Sequence, residues 1–167
     1  DAMKTLVVYD SFFGNTEKIA LAISAALGDK EIVEILPVSQ VTPEKMAGMT
    51  LLIVGSPTRG FRPTEAISKF LNLLGKDQLD GVGVAAFDTR IALETINSSV
   101  FRLVVDKGGY AASTIAKALK KKGGNLLAPP EGFLVTGEQG PLKDGELERA
   151  AEWARRLLPP GKEFVNR

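Results

Sequence analysis

The apolar positions of this chain change their spacing in a regular rhythm. Leu6-Val7-Val8-Tyr9, Ile32-Val33-Glu34-Ile35-Leu36, Leu51-Leu52-Ile53-Val54 and Val82-Gly83-Val84-Ala85-Ala86-Phe87 are short apolar runs of strand length. Between them the period becomes that of helices. Ile19, Ala22, Ile23, Ala26 and Leu27 share one face of a helix from Glu17 to Leu27, which Gly28 can end. Pro63 opens a second helix with the core face Ile67, Phe70, Leu71 and Leu74 and with Gly75 after it. Ala111, Ile115, Ala118 and Leu119 mark a third from Ala111 to Lys122. Leu147, Ala150, Ala154, Leu157 and Leu158 define a last amphipathic helix, stopped by Pro159-Pro160. Leu126-Leu127-Ala128 and Phe133-Leu134-Val135 read as a final strand interrupted by Pro129-Pro130. Two stretches stay open. Val41 to Met49 is an ambiguous short helix, and Ile91 to Gly109 fits either a helix face through Ile96, Val100, Leu103 and Val104 or a strand beginning at Phe101.

Alternating strands and helices imply a parallel sheet with right-handed crossovers and helices on both faces. The run Leu51 to Val54 has no polar alternation, as expected of a strand covered on both sides. Ligands of such sheets bind beyond the carboxyl ends of the strands, where the strand order reverses. For the order 2-1-3-4-5 that point lies between the first strand, which runs into Ser11, and the third, which runs into Gly55.

The segment at the first of these ends is Ser11-Phe12-Phe13-Gly14-Asn15-Thr16. It follows a strand and opens a helix, so it has the makings of a phosphate cradle. A helix start leaves backbone N–H groups without intrahelical partners and carries the positive end of the helix dipole, so it holds a phosphate without Lys or Arg. Ser11 and Thr16 add hydroxyl donors, and Gly14 allows close backbone approach. The plainer alternative is an ordinary capped strand-to-helix turn.

Composition narrows the chemistry. The 167 residues are 44% hydrophobic, enough for one well-buried core and too few for two comfortable domains, so a single domain is expected over 1–167. Asp1-Ala2 ahead of Met3 is expected to be a remnant preceding the native start. There is no cysteine and no histidine, which removes thiolate nucleophiles, cysteine-held metals, the usual general base and the commonest metal ligand. Chemistry must then come from a cofactor or from carboxylates, and neither catalytic nor metal-ligating residues are expected. No apolar run approaches the ~20 residues of a bilayer span and no signal-peptide pattern opens the chain, so a cytoplasmic protein without membrane contact is expected. Net charge is +1, and Lys120-Lys121-Lys122 reads as a solvated helix end and not as a nucleic-acid patch.

Tyr9-Asp-Ser-Phe-Phe-Gly-Asn-Thr-Glu-Lys-Ile-Ala, Gly55-Ser-Pro-Thr-Arg-Gly, Ala86-Phe-Asp-Thr-Arg90 and Gly137-Glu-Gln-Gly-Pro-Leu142 stand at the ends of strands one, three, four and five. In this order the segments resemble the flavodoxin-like family, over most of the chain apart from Ile91 to Gly109. The resemblance implies a three-layer α/β fold with a five-stranded parallel sheet of order 2-1-3-4-5 and helices on both faces. It also implies flavin mononucleotide (FMN) as cofactor. Ser11 to Thr16 would bind the phosphate, with Phe12 and Phe13 contributing backbone N–H groups or packing on neighbouring loops. Ser56, Pro57, Thr58, Arg59 and Gly60 would take the ribityl chain and one side of the ring, and Phe87, Asp88, Thr89 and Arg90 the other side and the pyrimidine edge. Arg59 stands where many flavodoxins carry an aromatic. It either stacks on the ring or lies solvated, and Phe61 either supplies the missing stack or faces core or partner. Asp88 either accepts from the flavin or forms its own turn. Gly60 would permit a peptide rotation toward the reduced ring, and Trp153 is expected to pack on the last helix.

Two other motifs fail on context. Gly81-Val-Gly-Val-Ala-Ala86 enters a strand and does not follow one, and Gly55-x4-Gly60 is followed by Phe61 where a P-loop needs Lys. A phospho-receiver is disfavoured: Asp10 could stand in for an acidic residue after the first strand, yet no Asp follows the third strand and Thr136, not Lys, ends the fifth. The resemblance therefore implies an FMN-binding electron-transfer protein whose partner is a redox protein or a small-molecule acceptor, monomeric or dimeric. Classical carriers are acidic, whereas this chain has an isoelectric point near 8.1. A flavin-dependent NAD(P)H or quinone reductase is the second reading, and a non-catalytic flavin-binding interaction module the third.

Overall fold

The computed structural model describes residues 3–29, 32–91 and 109–158. The elements alternate as the periodicity predicts: β1 (Thr5–Tyr9), α1 (Asn15–Leu27), β2 (Val33–Pro37), the short α2 (Pro43–Met46), β3 (Leu51–Pro57), α3 (Glu65–Leu73), β4 (Gly83–Ile91), α4 (Ala111–Lys121), β5 (Asn125–Leu126), β6 (Glu131–Val135) and α5 (Glu146–Arg156). The sheet is parallel, in the order β2-β1-β3-β4-β5, with β6 also on β4. The last two strands are one edge strand in two pieces. Asn125 and Leu126 pair with Gly83 and Val84, Glu131 to Val135 pair with Phe87 to Ile91, and Pro129-Pro130, which lack N–H donors, fill the gap.

Alternation along each strand divides the core between the two sheet faces. Leu6, Val8, Leu52, Val54, Val84 and Ala86 join Ile67 and Leu71 of α3 and Ile115 and Leu119 of α4. Val7, Tyr9, Ile53, Ala85 and Phe87 join Ile19 and Ile23 of α1 and Ala150 and Trp153 of α5. This gives the three-layer arrangement. Trp153 packs edge-on against Phe87 and Phe133, as expected of a packing residue.

The strands reach further than their apolar runs. β3 continues through Ser56 and Pro57 and β4 through Asp88 to Ile91, because Ser56 and Pro57 register with Asp88 and Thr89 while Arg90 and Ile91 register with Leu134 and Val135. Positions read as loops from their polarity are therefore strand ends. Of Val41 to Met49, only Pro43–Met46 is helical, capped by Thr42, whose hydroxyl accepts from Lys45 N–H. Of the open stretch from Ile91 to Gly109, positions 92–108 lie outside the described residues, and so does Pro159-Pro160.

Candidate functional site

The carboxyl ends of β1, β3 and β4 meet the start of α1 in a small, partly open cleft. Ser11, Phe12, Phe13, Asn15, Thr16, Pro57, Thr58, Arg59, Thr89 and Arg90 line it.

The turn into α1 is held by its own short polar side chains. Ser11 N–H donates to Asp10 Oδ1 at 3.0 Å, and Gly14 N–H donates to Ser11 Oγ at 3.1 Å. Gly14 is the N-cap with φ 88°, a left-handed conformation that disfavours a side chain. The first intrahelical bond belongs to Lys18, which donates to Gly14 C=O, so Asn15, Thr16 and Glu17 N–H stand at the helix start without intrahelical acceptors. Phe12 and Phe13 are 56% and 45% exposed, so their rings form the rim. Asn15 is anchored by donating from Nδ2 to Gln139 C=O, and Thr16 Oγ1 lies 2.9 Å from Thr89 Oγ1. At the end of β1, Tyr9 donates to Glu17 Oε2 at 2.7 Å. Burial, with the Glu17 hydrogen bond and charge, pushes the Tyr9 phenol up to about 12.

The loop after β3 is a two-residue hairpin. Arg59 and Arg62 exchange both backbone hydrogen bonds, at 2.8 and 3.0 Å, around Gly60 and Phe61 with φ 54° and 65°. Positive φ at both central positions is the type I′ arrangement, which glycine adopts freely and phenylalanine adopts under strain. Phe61 packs edge-on against Tyr110 at 6.2 Å. Phe61 is not among the residues that line the cleft and instead lines the broad groove beside it, with Arg62, Lys69 and Leu73. Arg59 lies over the Phe12 ring, 5.0 Å from its centre, and belongs to both cleft and groove.

Three expected site residues sit beneath the cleft. Ser56 Oγ accepts from Thr64 N–H at 3.0 Å and donates to Pro57 C=O at 2.9 Å, which shapes the loop. Phe87 is fully buried against Gly55, Phe133 and Trp153, so its backbone and not its ring reaches the strand end. Asp88 is fully buried within β4 and does not form a turn of its own. Its Oδ2 accepts from Ala112 N–H at 2.8 Å, while Thr58 Oγ1 accepts from Ala111 N–H at 3.2 Å; two strand-end side chains thus cap α4 from outside it. Burial pushes the Asp88 carboxyl up, against the opposing pull of Arg90, Ala112 N–H and Thr58.

The cleft is completed by Ile91, Val135 and Glu138, which sequence reasoning did not assign to it. Val135 ends β6 and Glu138 follows it, and the segment beginning at Gly137 was the available signal. Among the described residues no group of three or more potential metal ligands is present, and no helix is long and apolar enough to cross a membrane.

The cleft lies beyond the strand ends at the reversal between β1 and β3, with a helix start at its back. The architecture matches solved structures over nearly its whole length: an archaeal flavodoxin at TM-score 0.71, with 21% identity and coverage of 93% of this chain and 96% of that one. The oxidised flavodoxin 2 of Bacillus cereus matches at 0.69, with 22% identity and coverage of 92% and 97%. The fold is that of the flavodoxins. In sequence, the chain is 47% identical over 45 residues to a flavodoxin of a Picosynechococcus species. That match covers 27% of this chain and 26% of the cyanobacterial protein, about a quarter of each. No family model matches the chain. At the reversal between β1 and β3 this chain gathers Ser11, Thr16, Thr58, Arg59 and Thr89.

Proposed function

We propose that this chain binds FMN non-covalently in the cleft and carries electrons through it. The observation that carries the reading is the start of α1. Behind a left-handed Gly14 at the N-cap, Asn15 and Thr16, with N–H groups that lack intrahelical acceptors, line the cleft beside the hydroxyl-bearing Ser11 at the sheet's reversal point, an arrangement suited to a phosphate monoester. When bound, the flavin supplies the redox chemistry. The residues of the chain hold its phosphate, exclude water with the ends of β3 and β4, and set its electrostatic surroundings through Arg59 and Arg90. The absence of cysteine and histidine suits this division, since electron transfer needs no protein acid or nucleophile.

A flavin-dependent reductase is the second reading, and one observation favours it. The groove beside the cleft, sharing Phe12 and Arg59 with it, is lined by Arg62 and Lys69 together with Asp10 and Glu65 and has room for a second substrate. Anaerobic mixing of the FMN-loaded protein with NADPH separates the two. A carrier remains oxidised until a redox protein or dithionite reduces it, whereas a reductase is reduced by NADPH and reoxidised by a quinone. Purified protein that takes up no FMN contradicts both.

A further inference from the structure

Arg90 is the second basic residue of the cleft wall, and it is held as Arg59 is not. Its Nε donates to Asp88 Oδ1 at 2.7 Å and its Nη2 to Asp88 Oδ2 at 2.8 Å, a bidentate fork. The guanidinium carbon lies 3.9 Å from the centre of the Tyr110 ring. On the neighbouring strand Gly132 leaves the space open, because a Cβ there would collide with the guanidinium. No described residue accepts from Nη1.

The ion pair is directional. The Asp88 side chain is fully buried and that of Arg90 is 21% exposed at the cleft, so the positive end points toward the ligand space. The carboxylate is also shared with the start of α4 through Ala112 N–H, where the helix dipole is positive. Of the pair only Arg90 lines the cleft, so the cation stands nearer the ligand space than its counter-charge, and the positive end of α4 lies on the carboxylate's far side.

A flavin that gains two electrons and one proton acquires one negative charge. Resting on the FMN reading above, we propose that Arg90 is the fixed cation that favours this reduced, anionic form and so sets the reduction potential, with Asp88 as its positioning residue. A clamped, partly buried charge is screened less than one on an exposed loop, so Arg90 outweighs Arg59 in this respect.

Removing Arg90 alone would strand a buried carboxylate, so the informative variants are Asp88→Asn, which keeps an acceptor for Ala112 N–H, and the pair Asp88→Asn with Arg90→Gln. Spectroelectrochemistry of the FMN-loaded proteins, at low and high salt, reads the effect. Asp88→Asn removes the counter-charge and should raise the midpoint. Relative to it, the double variant should bind the reduced cofactor at least tenfold less tightly against the oxidised one, a fall of about 30 mV for a two-electron couple, and this difference should persist in high salt. Asp88→Asn with Arg90→Lys should recover most of it. An FMN-binding Asp88→Asn protein whose midpoint is unchanged or lower, or a double variant equal to Asp88→Asn, overturns the assignment. A wild-type protein that binds no FMN removes the cofactor reading, and the proposal with it.

Discussion

Thr16 and Thr89 face each other inside the cleft, their Oγ1 atoms 2.9 Å apart and both residues almost completely buried. The contact ties the first turn of α1 to the end of β4, so the two walls are fixed relative to one another before any ligand arrives. Thr16→Ala should weaken FMN binding by about 1–3 kcal/mol, because it deletes a hydroxyl from the phosphate recess and leaves a phosphate oxygen unpaired. Thr89→Val should cost about 1 kcal/mol of stability through the unpaired Thr16 hydroxyl, with a smaller loss of affinity. Calorimetric titration and denaturant unfolding of the two variants separate the effects.

Gly14 tests the backbone of the same turn. Its φ is 88°, yet a Cβ built there meets nothing within 4 Å, so any cost of substitution comes from conformation and not from collision. Gly14→Val should therefore cost stability and FMN affinity together, about 1–2 kcal/mol or more, whereas Gly14→Asn, which visits the left-handed region more readily, should cost less. Equal stability of the glycine, asparagine and valine proteins in urea would contradict the geometry.

Glu146 gives a pH dependence with a definite sign. Burial opposes its ionisation, but the Arg149 fork, at 2.9 Å through Nε and 2.7 Å through Nη2, and the Leu134 N–H at 2.6 Å outweigh it and hold the carboxyl below its ordinary value of 4.5. Folding is thus linked to the deprotonated form. The contribution is fully present above about pH 4.5 and is lost as the pH falls through the lower, folded value. Glu146→Gln, which can still accept from Leu134 N–H, should be less stable at neutral pH and should show a flatter loss of stability on acidification, as measured by unfolding midpoints between pH 3 and 7.

Arg59 stands in contrast to Arg90. It is exposed, and its guanidinium lies over the Phe12 ring. Arg59→Glu should lower the FMN midpoint at low ionic strength and lose most of that effect in high salt, since exposed charges are screened over about 8–10 Å. A salt-independent shift would place Arg59 against the ring.

Much of this architecture was legible in the chain because the apolar periods are strong. The strand runs from Leu6, Ile32, Leu51 and Val82, the broken edge strand around Pro129-Pro130 and the helix faces of Ile19, Ile67 and Ile115 all appear in the fold where the spacing puts them. The strand ends were not legible. Ser56, Pro57 and Asp88 to Arg90 look like loop residues, yet cross-strand pairing carries β3 and β4 through them. The role of Asp88 was hidden for a related reason: capping α4 across a separation of 24 residues leaves no local pattern. The placement of Phe61 was equally hidden, because nothing in Gly60-Phe61 announces a hairpin with two left-handed residues until the Arg59 and Arg62 backbones are seen to pair. Glu138 and Val135 enter the cleft from the last strand, which only the tertiary fold brings alongside β4.

The central claim is that the start of α1 is a phosphate site. Isothermal titration of the cofactor-free protein with FMN and with riboflavin, which differ only in the phosphate, tests it most directly. FMN should bind at least roughly tenfold more tightly, about 1.4 kcal/mol or more, and the difference should shrink in Thr16→Ala. Equal affinity for FMN and riboflavin in the wild-type protein would contradict it.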